Sequence, residues 1–267
     1  MNKTSINYPK ISLVTPSLNQ GRFIEETIQS VLSQNYPNLE YLVMDGGSSD
    51  NTLAVLKSYS NQLKWISEKD SGQTNAINKG LRMASGDILA YLNADDLLLP
   101  GTLLKVAHLF TEHPEAMWII GQCRIINEDN REIRRLITAY KNLWLRLSHP
   151  SILLITDYIS QPATFWRANV MNEMGYLDES LHYVMDYEYW LRLYSKYPPV
   201  FIPEYLAAFK IHLQSKTTST GHKDVFIEEE RAVIQRHTNS RSLMLLHNLH
   251  RLLMTSTYSL INRQSQK

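Results

Sequence analysis

The sequence predicts an α/β protein with one mostly parallel sheet covered by helices on both faces. Over residues 10–120, short apolar runs typical of buried strands alternate with segments of helical periodicity. Each apolar run also ends at a cluster of Gly, Asp, Asn or Ser, as expected where parallel strands finish at a common edge. With 267 residues, 43% of them hydrophobic, the chain can bury a full core.

The predicted elements follow in chain order. Strands are expected at 11–15, 39–44, 63–67, 88–93 and 118–121, the first of them ended by Pro16. Helices are expected after Gly21 and over 52–59, 76–84 and 102–113, where apolar residues recur every three or four positions. We therefore expect a large domain over 1–220, in halves at 10–120 and 121–220, and a helical C-terminal extension over 221–267.

Composition excludes several classes of protein. Lys and Arg total 27 against 26 Asp and Glu, so the net charge of +1 gives no reason to expect a nucleic-acid partner. The single cysteine, Cys123, rules out an intrachain disulfide and a thiolate zinc cluster. The first residues lack the apolar core of a signal peptide, and no stretch approaches the length of a membrane span. We expect a soluble, cytoplasmic protein.

The loop after the fourth predicted strand carries Asn93, Asp95 and Asp96. Carboxylates at the carboxyl end of a strand suit a hard divalent cation and the phosphates that it neutralises. The alternative is that the two aspartates cap the helix that begins near Pro100. These residues alone do not decide between the two interpretations. Similar polar loops at 16–21, 45–52 and 68–73 favour one shared site at the rim of the sheet.

Taken in order, these loops resemble the nucleotide-sugar half of the family 2 glycosyltransferases of GT-A fold. The matching motifs are Thr15 to Asn19, Val43 to Thr52, Asp70 to Gly80, and Asn93 to Asp96, and the resemblance covers residues 10–215. It implies a Rossmann-like GT-A domain and an inverting transfer from a nucleoside-diphosphate sugar with Mg²⁺ or Mn²⁺. Residues 10–120 would bind the donor, and 121–220 would supply the acceptor side and the catalytic base.

The resemblance also implies roles for individual residues. The donor-binding positions would be Pro16, Asn19, Asp45, Asp70, Gly72, Gln73, Asn93 and Asp95. Asp45 would accept a hydrogen bond from the imide of uracil or thymine, which favours UDP or dTDP; capping the turn at Gly46 is its second-ranked role. The metal would be held by Asp95, with Asp96 and His212 as further candidates. Asn93 stands where the family commonly has Asp, so that position keeps an oxygen but loses its charge.

The catalytic base implied by the resemblance is Asp186. An inverting transfer needs a carboxylate opposite the leaving group to take the proton of the attacking hydroxyl. Glu188 is the rival, although its spacing from Arg192 favours a buried ion pair. Gln161 and Trp166 are the candidates for contacting the acceptor, Trp166 because an aromatic face suits a sugar ring.

An apolar stripe marks the C-terminal extension, at Leu245, Leu249, Leu252 and Leu253. We expect protein to cover it, either the same chain or a second subunit in a homo-oligomer. Peripheral contact with the inner face of a membrane is the alternative. It is less favoured here because the nearby positive charge is limited to Arg241, Arg251 and Arg263.

The predicted function is metal-dependent, inverting transfer of one sugar to a saccharide or lipid-linked saccharide acceptor in surface polysaccharide synthesis. Two alternatives stay open. A nucleotidyltransferase of similar fold would carry a basic, Gly-rich loop after the first strand, whereas only Arg22 follows residues 16–21 here. A non-catalytic nucleotide-sugar-binding protein is suggested only by Asn93.

Overall fold

The computed structural model describes residues 8–216 and 223–264. Its strands form one eight-stranded sheet in the order β3-β2-β1-β4-β7-β6-β8-β5. The strands are β1 Ile11–Ser17, β2 Leu39–Asp45, β3 Lys64–Ser67, β4 Ile88–Tyr91, β5 Leu97–Leu98, β6 Trp118–Ile126, β7 Thr164–Arg167 and β8 Val200–Lys210. Strands β3, β2, β1 and β4 are mutually parallel, as are β6 and β8. Strand β7 runs antiparallel between β4 and β6, and β5 antiparallel beside β8.

Helices follow most of the strands. They are α1 Ile24–Leu32, α2 Thr52–Ser58, α3 Gln73–Met83, α4 Thr102–Glu112, α5 Arg135–Leu147, α6 Pro150–Ile155, α7 Val170–Met174, α8 Met185–Lys196, α9 Lys223–His237 and α10 Arg241–Gln264, with a 3₁₀ turn at Gln161–Ala163. None of the helices in the described residues is long and apolar enough to cross a membrane. The predicted α/β fold with a mostly parallel sheet is confirmed.

Both faces of the sheet are covered, as expected. Successive residues of β1 point to opposite sides: Leu13 joins the core beneath α1 and α4, and Val14 joins the core beneath α3 and α8. Helix α3 approaches β1 closely at Gly80. A Cβ there would lie 2.4 Å from Cγ1 of Val14, so this contact requires glycine.

The first strand does not end at Pro16. It continues to Ser17, and Pro16 and Ser17 pair with Met44 and Asp45 of β2. The pairing of β1 with β4 stops at Val14, so Pro16 lies where β1 has a neighbour on one side only. A proline can be accommodated there because no partner strand needs an N–H on the other side.

The C-terminal helices differ in how they pack. Helix α9 buries Val233 and Ile234 in the core shared with α3 and α8. Helix α10 contacts α6, but its leucines at 245, 249, 252 and 253 are exposed, so the catalytic domain does not cover the stripe. The division at residue 220 stays a prediction.

Candidate active site

The loops after β1 and β2 are tied together at the rim of the sheet. Asn19, with φ 53°, accepts a hydrogen bond from the backbone N–H of Ser49 at 2.9 Å. Its own N–H donates to Oγ of Ser48 at 2.7 Å. Asn19 tolerates this left-handed conformation better than a branched residue would. The predicted clustering of Asn19 and the Asp45 loop is therefore present.

Asp45 is 2% exposed and serves its own loop. Its Oδ2 accepts from the N–H groups of Gly47 and Ser48, at 3.1 and 2.9 Å, and from Oγ of Ser67 at 2.6 Å. Its Oδ1 accepts from Oγ of Ser48. The turn-capping role that the sequence ranks second is thus present. A carboxylate offers about four acceptor positions, so only Oδ1 has room for another donor.

Asp70 closes the next loop against the first two. Its Oδ1 accepts from the N–H of Gly72 at 2.9 Å, and Gly72, with φ 127°, begins α3. A Cβ on Gly46 would lie 2.5 Å from Oδ2 of Asp70, so the backbone of the β2 loop passes directly beside this carboxylate. Asp70 therefore holds the start of α3 near the Asp45 loop.

Gln73 links the loop after β4 to Lys216, which follows β8. Its Nε2 donates to Oδ1 of Asn93 at 2.8 Å, and its Oε1 accepts from Nζ of Lys216 at 2.9 Å. Asn93 in turn donates to Oδ2 of Asp96 at 3.2 Å. Because Asn93 donates with one end and accepts with the other, its amide matches this position in a way that a carboxylate cannot.

Asp95 and His212 form the one contact among the predicted metal-binding side chains. Oδ2 of Asp95 lies 2.9 Å from Nε2 of His212, and the imidazole packs on Phe23 with 4.2 Å between ring centroids. The Asp95 carboxylate is partly exposed, whereas the imidazole is buried. Strand β8 ends at Lys210, which brings His212 to the loop after β4.

Asp96 does not lie where a metal could reach it. It is 0% exposed, and its carboxylate accepts from the N–H of Lys210 at 2.9 Å and from Asn93. Burial, with the neighbouring charge of Asp95, raises the pKa of Asp96 well above its usual value. The interpretation of Asp96 as a metal ligand is corrected: it joins the loop after β4 to β8. Helix capping is not its role either, since Gly101 stands at the N-cap of α4.

The residues that remain fit a magnesium or manganese ion. Within residues 8–216 and 223–264, no three His, Cys, Asp or Glu side chains group as a metal site. Asp95 and His212 supply two atoms 2.9 Å apart. Adjacent ligands of an octahedral ion at about 2.1 Å are separated by about 3 Å, and Mg²⁺ commonly takes few protein ligands alongside substrate phosphates and water.

Asp186 lies in the first turn of α8. Its Oδ1 accepts from the N–H of Tyr187 at 2.8 Å. Enclosure by protein raises the pKa of the carboxyl, although that hydrogen bond and the charges of Lys141 and Lys216 oppose the effect. A carboxylate with a raised pKa accepts a proton more readily, as a general base must.

Asp157 is a site residue that the sequence interpretation missed. It precedes the 3₁₀ turn, and its Oδ1 accepts from the N–H of Ile159 at 3.2 Å. Burial raises its pKa, Lys141 opposes this, and the charge of Asp186 raises the pKa further. Both carboxylates also raise the pKa of Tyr91, after burial. No motif signals Asp157, because only the fold brings residues 157 and 186 together.

Glu188 is an ion-pair residue, as its spacing predicts. It is buried, and its Oε2 lies 2.8 Å from Nε of Arg192. Burial alone would favour the neutral acid, but bonds from His237 and Arg192 outweigh it and lower the pKa of Glu188. Glu188 thus anchors α8 and does not face the rim.

The two acceptor candidates need correction. Trp166 is 0% exposed and packs edge-to-face against Tyr189 and Trp190 in the core, so no acceptor can reach its ring. Gln161 is also buried; it donates to the carbonyl of Tyr91 at 2.5 Å and lies 3.5 Å from Nδ2 of Asn93. Trp166 and Gln161 therefore support the neighbouring strands and loops and do not contact an acceptor.

A second missed feature positions Asp186. Asn78 of α3 is buried and bonds Leu177 at both backbone groups, donating to its carbonyl at 2.9 Å and accepting from its N–H at 3.1 Å. Thr74 of the same helix donates to the carbonyl of Leu181 at 2.9 Å. These bonds fix the segment that leads into α8 against the donor half.

The family follows from comparison with known proteins. The model of glycosyl transferase family 2 matches residues 12–175, which is more than half of the chain. The chain belongs to glycosyl transferase family 2. The predicted family membership is thereby confirmed.

Relatives of this family 2 glycosyltransferase are distant. An uncharacterized glycosyltransferase of Rickettsia prowazekii is 24% identical over 264 residues, covering 94% of this chain and 80% of the relative. One from Haemophilus influenzae is 28% identical over 228 residues, covering 81% and 70%.

Solved structures share the fold. The mannosyltransferase PcManGT of Pyrobaculum calidifontis, in complex with GDP-Man and Mn²⁺, has a TM-score of 0.68 at 18% identity, over 91% of this chain and 69% of that one. S. aureus TarS in complex with UDP-GlcNAc has a TM-score of 0.65 at 18% identity. That comparison covers 84% of this chain and 65% of the TarS chain. The GT-A fold predicted for this glycosyltransferase is confirmed.

Proposed function

We propose that this glycosyltransferase moves one sugar, with inversion, from a nucleoside-diphosphate sugar to a hydroxyl of a saccharide or lipid-linked saccharide in surface polysaccharide synthesis. The observation that carries the proposal is the chain of contacts across the rim. Asn93, next to the Asp95 loop, bonds Gln73, which bonds Lys216, whose charge acts on Asp186. Donor and base sides thus meet over one short polar bridge.

Asp186 is the proposed catalytic base. It would take the proton of the acceptor hydroxyl as that oxygen bonds to the anomeric carbon, while the bond from the carbon to the diphosphate oxygen breaks on the opposite face. The charges of Lys141 and Lys216 lower the pKa of Asp186 and so oppose the effect of its enclosure. Lys216 would also be a cation available to the departing diphosphate, on which negative charge develops as the bond breaks.

Asp95 and His212 are the proposed ligands for Mg²⁺ or Mn²⁺. When bound, the cation would neutralise charge on the diphosphate. The structural neighbour PcManGT is in complex with Mn²⁺, in keeping with this proposal. The nucleobase proposed for the donor is a pyrimidine, because Oδ1 of Asp45 has room to accept a hydrogen bond from its imide. The neighbour TarS is in complex with UDP-GlcNAc.

Ligand-dependent melting tests the donor and metal assignments. UDP or dTDP should raise the melting temperature only when Mn²⁺ or Mg²⁺ is present, because a ligand that binds the native state stabilises it. Asp95→Asn should abolish the metal requirement along with most of the shift. An equal shift with GDP would refute the pyrimidine assignment, and a shift that chelator leaves unchanged would refute the metal assignment.

A further inference from the structure

Helices α5 and α10 expose two sets of leucines. In α5, Leu136, Leu143 and Leu147 are 54–81% exposed. In α10, the leucines at 245, 246, 249, 252 and 253 are 48–67% exposed. Scattered exposed leucines are ordinary, but rows of them on neighbouring helices mark an interaction surface. We call these eight residues the leucine face.

The two rows adjoin one another. Oη of Tyr140 in α5 lies 2.7 Å from Nε2 of His250 in α10, and their rings stack at 6.0 Å. At about 100° per residue, the three leucines of α5 lie within about 40° of each other, beside Tyr140. The leucines of α10 lie on the side opposite His247, which bonds the carbonyl of Ile155 at 3.1 Å. The leucine face therefore spans the outer surface of both helices.

The charged side chains of these two helices have one sign. Neither α5 nor α10 contains Asp or Glu, although Arg135 lies 3.6 Å from Glu132 and Lys141 lies on the inner face of α5. Arg146 is exposed beside the α5 row, and Arg241 is exposed beside the α10 row. A second copy of the chain would set arginine against arginine across a twofold interface. Anionic lipid head groups complement the same surface.

Helix α5 also forms part of the acceptor side. Its inner face carries Lys141, whose Nζ lies 3.4 Å from the carbonyl of Ile159, close to Asp157. The outer face of the same helix carries the leucines. A surface that receives the leucine face would therefore lie one helix away from the proposed base.

We propose that the leucine face docks on an anionic lipid bilayer, with the leucines at the level of the head groups and Arg146 and Arg241 against the lipid phosphates. Resting on the proposed function, this orientation favours a lipid-linked acceptor over a free saccharide. The addition of α5 reverses the expectation from sequence, which weighed α10 alone and found too little positive charge.

Vesicle sedimentation of the full chain tests the docking surface. Binding should occur to vesicles of phosphatidylcholine with phosphatidylglycerol, should be weak on phosphatidylcholine alone, and should fall with salt. Arg146→Gln with Arg241→Gln should lower the partition coefficient roughly 25-fold, at about fivefold per basic residue. Leu245→Gln with Leu249→Gln should reduce it at least tenfold. The matched controls Lys57→Gln with Lys64→Gln, and Met83→Gln with Leu104→Gln, should bind as the parent does.

Two results would overturn the proposal. One is equal binding to neutral and anionic vesicles, or a loss of binding in the control variants as large as that in the variants of the leucine face. The other is no vesicle binding together with a dimer that Leu245→Gln with Leu249→Gln dissociates, since this would assign the face to a second copy. Hydrolysis of the donor, measured without lipid, separates this test from the proposed function, because docking can fail while hydrolysis persists.

Discussion

At the scale of single residues, the carboxylates near the rim divide into the proposed catalytic base and those that hold the fold. Asp186 lies at the start of α8 with a raised pKa, whereas Glu188 is buried against Arg192. Asp186→Asn should lower the rate of transfer by roughly 10² to 10⁴ and leave donor binding nearly unchanged, because the amide cannot accept the proton. Glu188→Gln should lower the melting temperature more than the rate. If the Glu188 variant were folded but inactive and the Asp186 variant kept its activity, Glu188 would be the base and Asp186 the structural residue.

We expect the pair of Asp157 and Asp186 to set the pH dependence of transfer. A base must be ionised to act, so a raised pKa places the acid limb of kcat/KM at higher pH than for an ordinary aspartate. The charge of Asp186 raises the pKa of Asp157, and because repulsion between two carboxylates is mutual, it opposes the ionisation of both. Asp157→Asn should therefore move the acid limb to lower pH, and Asp129→Asn in the exposed turn should not. If Asp157→Asn does not shift the pH profile of kcat/KM, Asp157 does not influence the ionisation of the base.

Asn93 is hydrogen-bonded to three side chains. Its amide donates to buried Asp96 and to Gln161, and it accepts from Gln73. Asn93→Asp would set a carboxylate against Asp96, and we expect a loss of about 1–3 kcal/mol in the free energy of unfolding, measured with urea. The sequence suggests instead that Asn93 is a metal ligand without a charge, in which case Asn93→Asp would raise the affinity for the metal ion. A variant that is fully stable with stronger Mn²⁺ binding would favour that interpretation.

At the scale of elements, sequence periodicity places α1 to α4 and β1 to β4 because their apolar faces are regular. It misses β5, since two residues are too short to establish an alternation, and it assigns no strand after residue 121, so β7 and β8 are missed as well. The acceptor role expected for Trp166 rests on the resemblance and on its aromatic ring, but β7 directs that ring into the core. The loops that follow regular strands could be predicted to share a rim. The pairing of Asp157 with Asp186 could not, because it depends on how α6 packs near α8.

Helix α3 holds the two halves of the site in register through Asn78. Asn78→Ala would leave the N–H and carbonyl of Leu177 without their present partner. We expect a loss of about 1–3 kcal/mol in the free energy of unfolding, and a lower kcat as the segment before Asp186 loosens. Asn75→Ala is the matched control on the same helix, since it loses one exposed bond to Glu179. If both variants behave alike, Asn78 does not position the base.

At the scale of the whole molecule, the fold gathers the loops proposed to bind the donor and the proposed base at one rim and sets α5 behind the proposed acceptor side. The family and the α/β fold were predictable because their motifs occur in order along the chain. The surface of α10 was not, since the sequence gives no sign that α5 adds leucines and arginines beside it. The overall composition does not show this either, because a net charge of +1 gives no sign that the charged side chains of α5 and α10 are all basic.

The central claim is nucleotide-sugar-dependent transfer at this rim, and release of nucleoside diphosphate from a panel of donors tests it most directly. With Mn²⁺, the full chain should release UDP or dTDP from its sugar conjugate, and chelator should stop the release. Asp95→Asn and Asp186→Asn should each lower the rate, the first by weakening the metal and the second by removing the base. A chain that binds these donors but releases no diphosphate from any of them, with Mn²⁺ and anionic vesicles present, would be a binding protein and would contradict the account.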